Sequence, residues 1–498
     1  MSLQHDGARA SDVLDLGPST LPTPKDATLV LPNEVLMHIF YFLFRPHPVA
    51  RVCRRWREIA LACTMDINLD RDPQRGADFW QERMSRAKAA SLFITYMSPH
   101  RKSLTAVEKD LIVEHLPRIR WLELSLSHGD EDLLPNLTQR APLLERLLIE
   151  SLNDEWPAGL FGDHAPRLQE LGLRSIFSVP WASPIFRGLV SLTIESSDDG
   201  RKPEQCDAFL DALAGMQFLE HLFLEEAFRM SHPTNSHDTH ARVVLPRLAV
   251  LAVTGVSPTH CMHTLTHLSI PPTAQFRLSA SALTWAPTRP PFAPLVPALS
   301  HHLANWAQAA ARPTLVSFKS VSGELYCVVN RAAHASDDQD DLALDFTCKP
   351  AFGDMPDIAR LAWDAISWDA VEQLVLADFS RDMAWLDAPW WGILKTMRCV
   401  RTICARGATV EALLQFLTAE DVCLAQGRRD TFLPALEDLT FEAEDQAAAW
   451  GSLAPEMKDA FRAWVDDRRE LGRPLKRLCV KDCPQGPRVT SDGRFELV

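Results

Sequence analysis

The sequence predicts an α/β fold in which a pair of N-terminal helices precedes a long, irregular solenoid of repeated strands. Three observations indicate this. A phrase with apolar residues at alternate positions recurs along most of the 498 residues, helical segments stand between its copies, and one N-terminal stretch carries two apolar stripes at helical spacing. An ordinary α/β domain with parallel strands is the alternative interpretation of the repeated phrase.

The repeated phrase places an apolar residue three positions before an L-x-L or L-x-I pair. Alternate residues of a strand face the same side, so each copy predicts one short strand with one buried face. In the first half the copies recur every 17 to 30 residues or so, and leucine-rich repeats have a period of roughly 20–29 residues. The copies are LPRIRWLELSL (116–126), APLLERLLIES (141–151), APRLQELGLRS (165–175), FRGLVSLTIES (186–196), MQFLEHLFLEE (216–226), LPRLAVLAVTG (245–255), MHTLTHLSIPP (262–272), WDAVEQLVLAD (368–378), MRCVRTICARG (397–407), LPALEDLTFEA (433–443) and GRPLKRLCVKD (472–482).

Text between the copies predicts helices, with apolar residues at helical spacing in DAFLDALAGM (207–216) and TVEALLQFLT (409–418). Stacked strands with helices behind them build one continuous core, which a single repeat cannot do. Because the copies are irregular and lack a regular asparagine after the L-x-L pair, the array resembles the divergent leucine-rich repeats of fungal and plant intracellular proteins.

Proline is concentrated between positions 271 and 297, and proline removes a ladder donor and restricts its neighbour, so this part predicts a loop or strap. After it, LVSFKSV (315–321), GELYCVVN (323–330) and DLALDFT (341–347) alternate as further strands. The predicted segments are 1–28 (disordered), 29–66 (helical pair), 67–115 (linking helices and first repeat), 116–272 (repeats, first half), 273–312 (loop or strap), 313–485 (repeats, second half) and 486–498 (disordered tail).

The helical pair occupies LPNEVLMHIFYFLFRPHPVARVCRRWREIA (31–60). Proline suits the first turn of a helix and a carboxylate suits its positive end, so Pro32 and Glu34 predict a helix start. One apolar stripe follows on the first helix, and a second helix is predicted to carry an apolar face from Val49 to Ala60. Two helices of this length share too little interior to bury both stripes, so another surface is expected to cover them.

These residues resemble the F-box, the helical motif by which substrate receptors dock on the Skp adaptor of cullin-RING (SCF) ubiquitin ligases. The resemblance rests on the LPNEVL start and the VCRRW phrase, in that order. The chain departs from the family in its FRPHPVA connection, which is about three or four residues shorter, or roughly one helical turn. It also has ALACTMDINL where the family often has a P-x-L-W phrase.

The resemblance implies a receptor without chemistry of its own, which holds a substrate near a ubiquitin-charged enzyme supplied by the complex. Its expected partners are the Skp adaptor, a cullin and an unknown protein substrate. Two alternatives stay open: the stripes pack against the first repeats, or the chain is a repeat scaffold outside any ligase. The expected adaptor-contacting residues, the last three of which also hold the helices together, are Leu31, Pro32, Val35, Leu36, Ile39, Phe40, Leu43, Val52, Cys53 and Trp56.

Residues just after each L-x-L pair are predicted to line the concave face of the repeats, where a substrate would bind. In the first half this column contains Glu150, Arg174, Glu195 and Glu225, and it leans acidic. A cationic substrate segment is one interpretation of the column, and a solvated strand face is the other.

Net charge, the lack of long apolar runs and the cysteine spacing exclude several classes of function. A formal net charge of −14 argues against a nucleic-acid binder, and without a long apolar run or a secretory signal a cytoplasmic or nuclear protein is expected, with no membrane partner. The 11 cysteines form no C-x-x-C pair, and phosphate-loop and nucleophile-elbow motifs are missing, so no catalytic site, metal or cofactor is predicted. Two histidine groups, His232, His237 and His240 and then His260, His263 and His267, are interpreted as loop and repeat residues rather than zinc ligands.

Overall fold

The computed structural model of the chain divides into two units. The first contains residues 1–67 and 74–93, and the second contains residues 68–73 and 94–498. The residues that the structure describes are 31–42, 49–62, 65–69, 79, 84–85, 90–97, 103–195, 206–225, 242–255, 265–271, 273–281, 315–321, 324–330, 342–349, 371–377, 394, 396–407, 409–418, 433–442, 454–481, 487–489 and 495–497.

Helices occur in both units, and they include the predicted ones. The segments predicted at 207–216 and 409–418 are confirmed as α5 and α6. Helix α3 begins with a capping box, in which Thr105 Oγ1 accepts from the Glu108 amide at 3.3 Å and the Glu108 carboxylate accepts from the Thr105 amide at 2.9 Å. The described helices are α1 (Asn33–Phe42), α2 (Arg54–Ala62), α3 (Ala106–His115), α4 (Leu133–Asn136), α5 (Cys206–Gly215), α6 (Thr409–Thr418) and α7 (Pro455–Glu470).

Strands follow the repeated phrase closely in position. They are β1 (Met65–Asn68), β2 (Leu92–Tyr96), β3 (Ile119–Leu126), β4 (Arg146–Glu155), β5 (Glu170–Ser178), β6 (Ser191–Glu195), β7 (His221–Glu225), β8 (Val243–Val244), β9 (Val250–Gly255), β10 (Leu268–Ser269), β11 (Gln275–Ser281), β12 (Leu315–Val321), β13 (Glu324–Asn330), β14 (Leu342–Lys349), β15 (Gln373–Ala377), β16 (Thr402–Arg406), β17 (Asp438–Glu442), β18 (Arg477–Lys481), β19 (Pro487–Val489) and β20 (Phe495–Leu497).

One mixed sheet, mostly parallel, runs through the second unit. From β3 onward its strand order is β3-β4-β5-β6-β7-β9-β11-β14-β13-β12-β15-β16-β17-β18. The neighbours are parallel from β3 to β11 and from β15 to β18. Strand β13 is antiparallel to β12 and β14, which are themselves parallel to β15 and β11. The predicted strands at 315–347 are therefore confirmed, in an order that reverses within the sheet.

The leucine-like pairs of the repeated phrase form the core on one side of this sheet. Leu122 and Leu124 of β3 stand in register with Leu147 and Ile149 of β4, and all four side chains are fully buried. Burying each such side chain contributes about 1.5–3 kcal/mol relative to exposing it.

Aromatic side chains extend this core behind the middle strands. The ring centroid of Trp181 lies 5.3 Å from that of Phe186 and 4.9 Å from that of Phe209, which belongs to α5. Helix α5 therefore packs its apolar face into the same core, as its sequence spacing predicts.

The prediction for MHTLTHLSIPP as a strand of the main array is wrong. Among the described residues, its strand β10 pairs with β8 alone, in a separate two-stranded sheet. The main sheet uses β11 instead, inside the segment 273–312 that was predicted as a loop or strap. Phe276 and Leu278 stand at alternate positions of β11 and are buried. A strand can form there because β11 starts after Pro272 and ends before Pro287. Residues 282–312 lie outside the described residues.

The expected disorder of the C-terminal tail, 486–498, is also contradicted. Strands β19 and β20 pair antiparallel, with Val489 opposite Phe495. Valine and phenylalanine favour strands, and a short antiparallel pair needs only a local connection. The expected disordered segment 1–28 lies outside the described residues.

A buried arginine joins α7 to the turn before β17. The Arg468 guanidinium is 2% exposed and donates to the carbonyls of Leu433 and Leu436, at 3.1 and 2.8 Å. Burial lowers the pKa of Arg468 to about 10, so the side chain stays charged at neutral pH.

A buried aspartate fastens the loop that follows β3. The Asp130 side chain is fully buried, and its carboxylate accepts from the Leu104 amide at 2.8 Å and from the amide and hydroxyl of Ser127 at 3.2 and 3.0 Å. These bonds join the segment before α3 to the residue that follows β3.

We expect Asp130→Ala to destabilise the second unit by roughly 2 kcal/mol or more, because buried donors lose their acceptor. Asp132→Ala is the matched control, since Asp132 is largely exposed and its ion pair with Lys109 is worth less than about 1 kcal/mol. Urea unfolding of the full chain measures both changes. Equal stability of the two variants would contradict the structural role of Asp130.

Candidate functional site

The two N-terminal helices form a small core of their own. Leu36 and Phe40 of α1 are 1% and 2% exposed, and the Phe40 ring centroid lies 5.1 Å from that of Trp56 on α2. Leu36 and Phe40 therefore belong to a core to which both helices contribute. The members of this core, with the half-buried Leu31 and Trp56 at its rim, are Leu36, Phe40, Val49, Ile59 and Ala60.

Polar contacts fix the start of α1 against α2. The Pro32 carbonyl accepts from the Leu36 amide at 3.1 Å, so proline stands where its missing N–H costs nothing. Arg55 donates from Nη2 to Asn33 Oδ1 at 2.9 Å and also to the Leu31 carbonyl. Arg55 thus ties the two helices together.

The apolar stripe of α1 is divided, and some of its residues point outward; we call these residues the outward stripe of α1. Val35 and Ile39, one helical turn apart, are 42% and 43% exposed, and Val52 in the connection is 61% exposed. Met37 is also exposed. These aliphatic side chains are therefore in contact with water.

The predicted adaptor-contacting set therefore divides between core and surface. Val35, Ile39 and Pro32 are exposed, whereas Leu36 and Phe40 are buried, and direct contact of these five residues with an adaptor stays a prediction.

The connecting residues of that set also differ from expectation. The prediction that Val52 holds the helices together is wrong, because Val52 follows the 3-10 turn Val49–Arg51 and precedes α2 instead of continuing a helical face. Cys53 is half-buried and its Sγ accepts from the Trp56 amide at 3.4 Å. Leu43 lies outside the described residues.

The column predicted after each L-x-L pair is one continuous row of the sheet. Glu150, Arg174, Glu195 and Glu225 are consecutive partners in register from β4 to β7. Arg174 Nε lies 2.6 Å from Glu195 Oε2. These side chains are half-buried or exposed, so the row lies on the face opposite the leucine core. A role in substrate binding stays a prediction.

A charged cluster on the same face is matched within itself. The Arg146 guanidinium lies 4.3 Å from the Trp121 ring centroid, 3.2 Å from Glu123 and 3.1 Å from Glu170. The Arg146 guanidinium therefore already has an aromatic ring and two carboxylates as partners on the neighbouring strands β3 and β5.

The sequence-based prediction did not include the neighbouring row of the sheet, which lies two positions before Glu195 and Glu225 on the same face. Thr193, Phe223 and Ala252 are partners in register on β6, β7 and β9, and each is half-buried. They occupy the x position of the L-x-L pair. The alternation of the strand predicts that this x position faces the side opposite the leucine core, near the middle of each strand.

The far end of the same face carries further ion pairs. Glu442 and Lys481 are register partners on β17 and β18, and Arg406 Nε lies 2.5 Å from Glu442 Oε2. Burial, together with the charge of Glu442, raises the pKa of the Cys404 thiol on β16, the strand that also carries Arg406. The thiol is therefore protonated at neutral pH and is a poor nucleophile.

Within the described part of the chain, His, Cys, Asp and Glu side chains form no group of three or more that could hold a metal ion. His267 is buried in the turn before β10, and the other five histidines of the two sequence groups lie outside the described residues. None of the described helices combines the length and apolar character needed to cross a membrane.

Comparison with protein families agrees with the position of the helical pair. Residues 28–65 match the F-box-like family. A search of curated proteins gave no match to the chain. F-box domains typically belong to non-catalytic adaptor subunits and generally bind Skp-type adaptors.

We expect Leu36→Ala to cost about 2–5 kcal/mol in stability of the helical pair, because it opens a cavity in a sealed core. Ile39→Ala, the same kind of truncation one turn further along α1, is expected to cost less than about 1 kcal/mol. Hydrogen exchange of α1 amides in the full chain compares the two. Similar loss of protection in both variants would contradict the division into inward and outward stripes.

Proposed function

We propose that the chain is the substrate-recognition subunit of an SCF-type ubiquitin ligase. The F-box-like residues dock on the Skp adaptor, and the repeats, which we interpret as divergent leucine-rich repeats, bind the substrate with their open face. The observation that carries the proposal is the F-box-like match at 28–65 together with the exposed aliphatic side chains of α1.

In this proposal, the inward side chains of α1 hold the two helices together and the outward side chains contact the adaptor. Because Leu36 and Phe40 already hold the helices together, the site is formed before the partner arrives, and little ordering entropy opposes association. Val35 and Ile39 then lose their water on contact, and the hydrophobic effect supplies the binding free energy.

The receptor would act by proximity. It carries the substrate to a ubiquitin-charged enzyme that the cullin assembly supplies, which raises the effective concentration of the substrate lysine near the reactive thioester. No chemistry is assigned to the chain itself, and we place it in the cytoplasm, the nucleus or both.

A second candidate function is a non-catalytic repeat scaffold whose F-box-like helices engage no ligase. The core of Leu36, Phe40 and Trp56 favours this candidate, because these side chains already pack against one another within the chain.

The docking test uses the full chain and a purified Skp adaptor. We expect Val35→Ser combined with Ile39→Ser to weaken binding at least about tenfold, because apolar anchors at an interface centre carry much of its energy. Biolayer interferometry measures the affinity, and thermal melting confirms that the variant is folded.

Val244→Ser combined with Leu471→Ser is the matched control, since both residues are exposed aliphatic side chains of the second unit. Its affinity for the adaptor should equal that of the unaltered chain. A folded chain that does not bind the adaptor at all would favour the scaffold, and equal weakening by both double variants would contradict the assigned surface.

A further inference from the structure

The turns that lead into β4, β5, β6, β7 and β9 stack against one another along one edge of the sheet. Because these strands are parallel, their N-terminal ends lie at the same edge, about 4.8 Å apart from strand to strand. The amide that ends one turn donates to the carbonyl that ends the turn before it, at 2.7 to 2.9 Å, and these residues are, in order, Glu145, Gln169, Val190, Glu220 and Ala249. The turns are 137–145, 161–169, 184–190, 216–220 and 245–249.

Four arginines occupy these turns, before β4, β5, β6 and β9. All four are exposed, and in that strand order they are Arg140, Arg167, Arg187 and Arg247. Among the described residues, the side chains of Arg140, Arg167 and Arg187 form no hydrogen bond or ion pair. The Arg247 guanidinium carbon lies 5.0 Å from the ring centroid of Phe218, in the turn before β7. We call these four arginines and Phe218 the arginine edge.

Carboxylates in the same turns are fewer than the arginines. Glu145 is already paired, since Arg120 Nε lies 2.5 Å from its Oε2. Asp163 Oδ1 accepts from the Ser183 hydroxyl at 3.1 Å, and Glu220 lies in the turn before β7. Two carboxylates therefore stand against four guanidinium groups. The arginine edge is net positive in a chain whose formal net charge is −14.

The strands β17 and β18 of the same sheet provide a contrast, because the cations at their N-terminal ends are paired. Lys476 Nζ lies 2.9 Å from Glu437 Oε2, and Arg477 Nη2 lies 2.9 Å from Asp438 Oδ2. Pairs of this kind leave little charge for a ligand. The exposed arginines of the arginine edge instead have their donors available.

Charge complementarity favours an anionic ligand for this edge, and the geometry favours a short one. From β4 to β9 the edge covers four strand spacings, or about 19 Å, which an extended chain covers in about six residues. A long polyanion fits less well, because Asp163 and Glu220 interrupt the row and the net charge of −14 repels anionic groups beyond it. Phe218 is 50% exposed within the row and offers a contact for an apolar side chain.

We infer that the arginine edge binds an extended acidic segment of a partner protein, with carboxylates on Arg167 and Arg187 and an apolar side chain on Phe218. The planar fork of arginine donors matches the two oxygens of a carboxylate. This surface lies at the edge of the sheet, whereas the substrate surface of the proposed function lies on the open face. The inference therefore goes beyond the ligase role and does not depend on it.

The probe is a labelled synthetic peptide in which glutamate and serine alternate on both sides of one leucine. Fluorescence anisotropy measures its affinity for the full chain. We expect Arg167→Gln combined with Arg187→Gln to weaken binding at least about tenfold, and Phe218→Ala to weaken it about fivefold. The arginine double variant should also lose less affinity than the unaltered chain when NaCl is raised from about 50 to 500 mM.

Controls make the same kinds of change away from the edge. Arg462→Gln combined with Arg469→Gln removes two charges from α7, where each arginine lies near an aspartate three residues before it. Leu471→Ala truncates another exposed apolar side chain of the second unit. Both controls should bind the peptide within about twofold of the unaltered chain. Arg167 and Arg187 are exposed, so their replacement leaves the core intact, and thermal melting verifies this.

The ligand is varied in the same assay. Peptides with glutamate replaced by glutamine, or with leucine replaced by serine, should each bind more weakly. Equal effects of the two arginine double variants, or equal binding of the glutamate and glutamine peptides, would overturn the inference. A labelled oligodeoxythymidine that binds more tightly than the peptide, and loses binding in the Arg167 and Arg187 double variant, would assign the edge to nucleic acid and would overturn it as well.

Discussion

The alternation of side chains along the strands of one hydrogen-bonded sheet is the constraint on which the repeat structure depends. Each strand buries every second side chain, and the register carries that choice from strand to strand. Leu122, Leu147 and Leu171 are consecutive partners on the buried side, and Glu150, Arg174 and Glu195 are consecutive partners on the open side. A shift by one residue would exchange the two faces. The leucine pairs therefore determine both the core and the composition of the open face.

The N-terminal helices also have to bury apolar side chains, and they contain far fewer residues than the sheet. They bury one stripe between themselves through Leu36, Phe40 and Trp56, and they leave Val35 and Ile39 in water. Two short helices cannot cover both stripes, because the surface of so small a unit is large relative to its interior. The same limit that exposes Val35 and Ile39 makes them available to another protein.

Much of the fold could be predicted from the sequence, because the repeated phrase is local. Each L-x-L pair except that of MHTLTHLSIPP marks a strand of the main sheet. The exception shows the limit of such reasoning. Leu265 and Leu268 have the expected pattern and are buried, but whether a strand joins the main sheet depends on pairing with distant residues. The reversed order of β12, β13 and β14 is not visible in the sequence for the same reason.

The candidate site was predictable in position but not in detail. The F-box-like stretch was located from its motif, whereas the inward and outward sides of α1 depend on where α2 packs. Val52 was misplaced because the predicted helical face ran on through residues that form a 3-10 turn, which changes the phase of every side chain before α2.

The central claim is that the outward stripe of α1 is the surface that a Skp adaptor covers. Hydrogen–deuterium exchange of the full chain, with and without a purified Skp adaptor, tests it most directly. The account predicts slower exchange on adding the adaptor within residues 31–62 and unchanged exchange in strands β3 to β18. Unchanged exchange in α1 at saturating adaptor, or protection confined to the repeats, would contradict it.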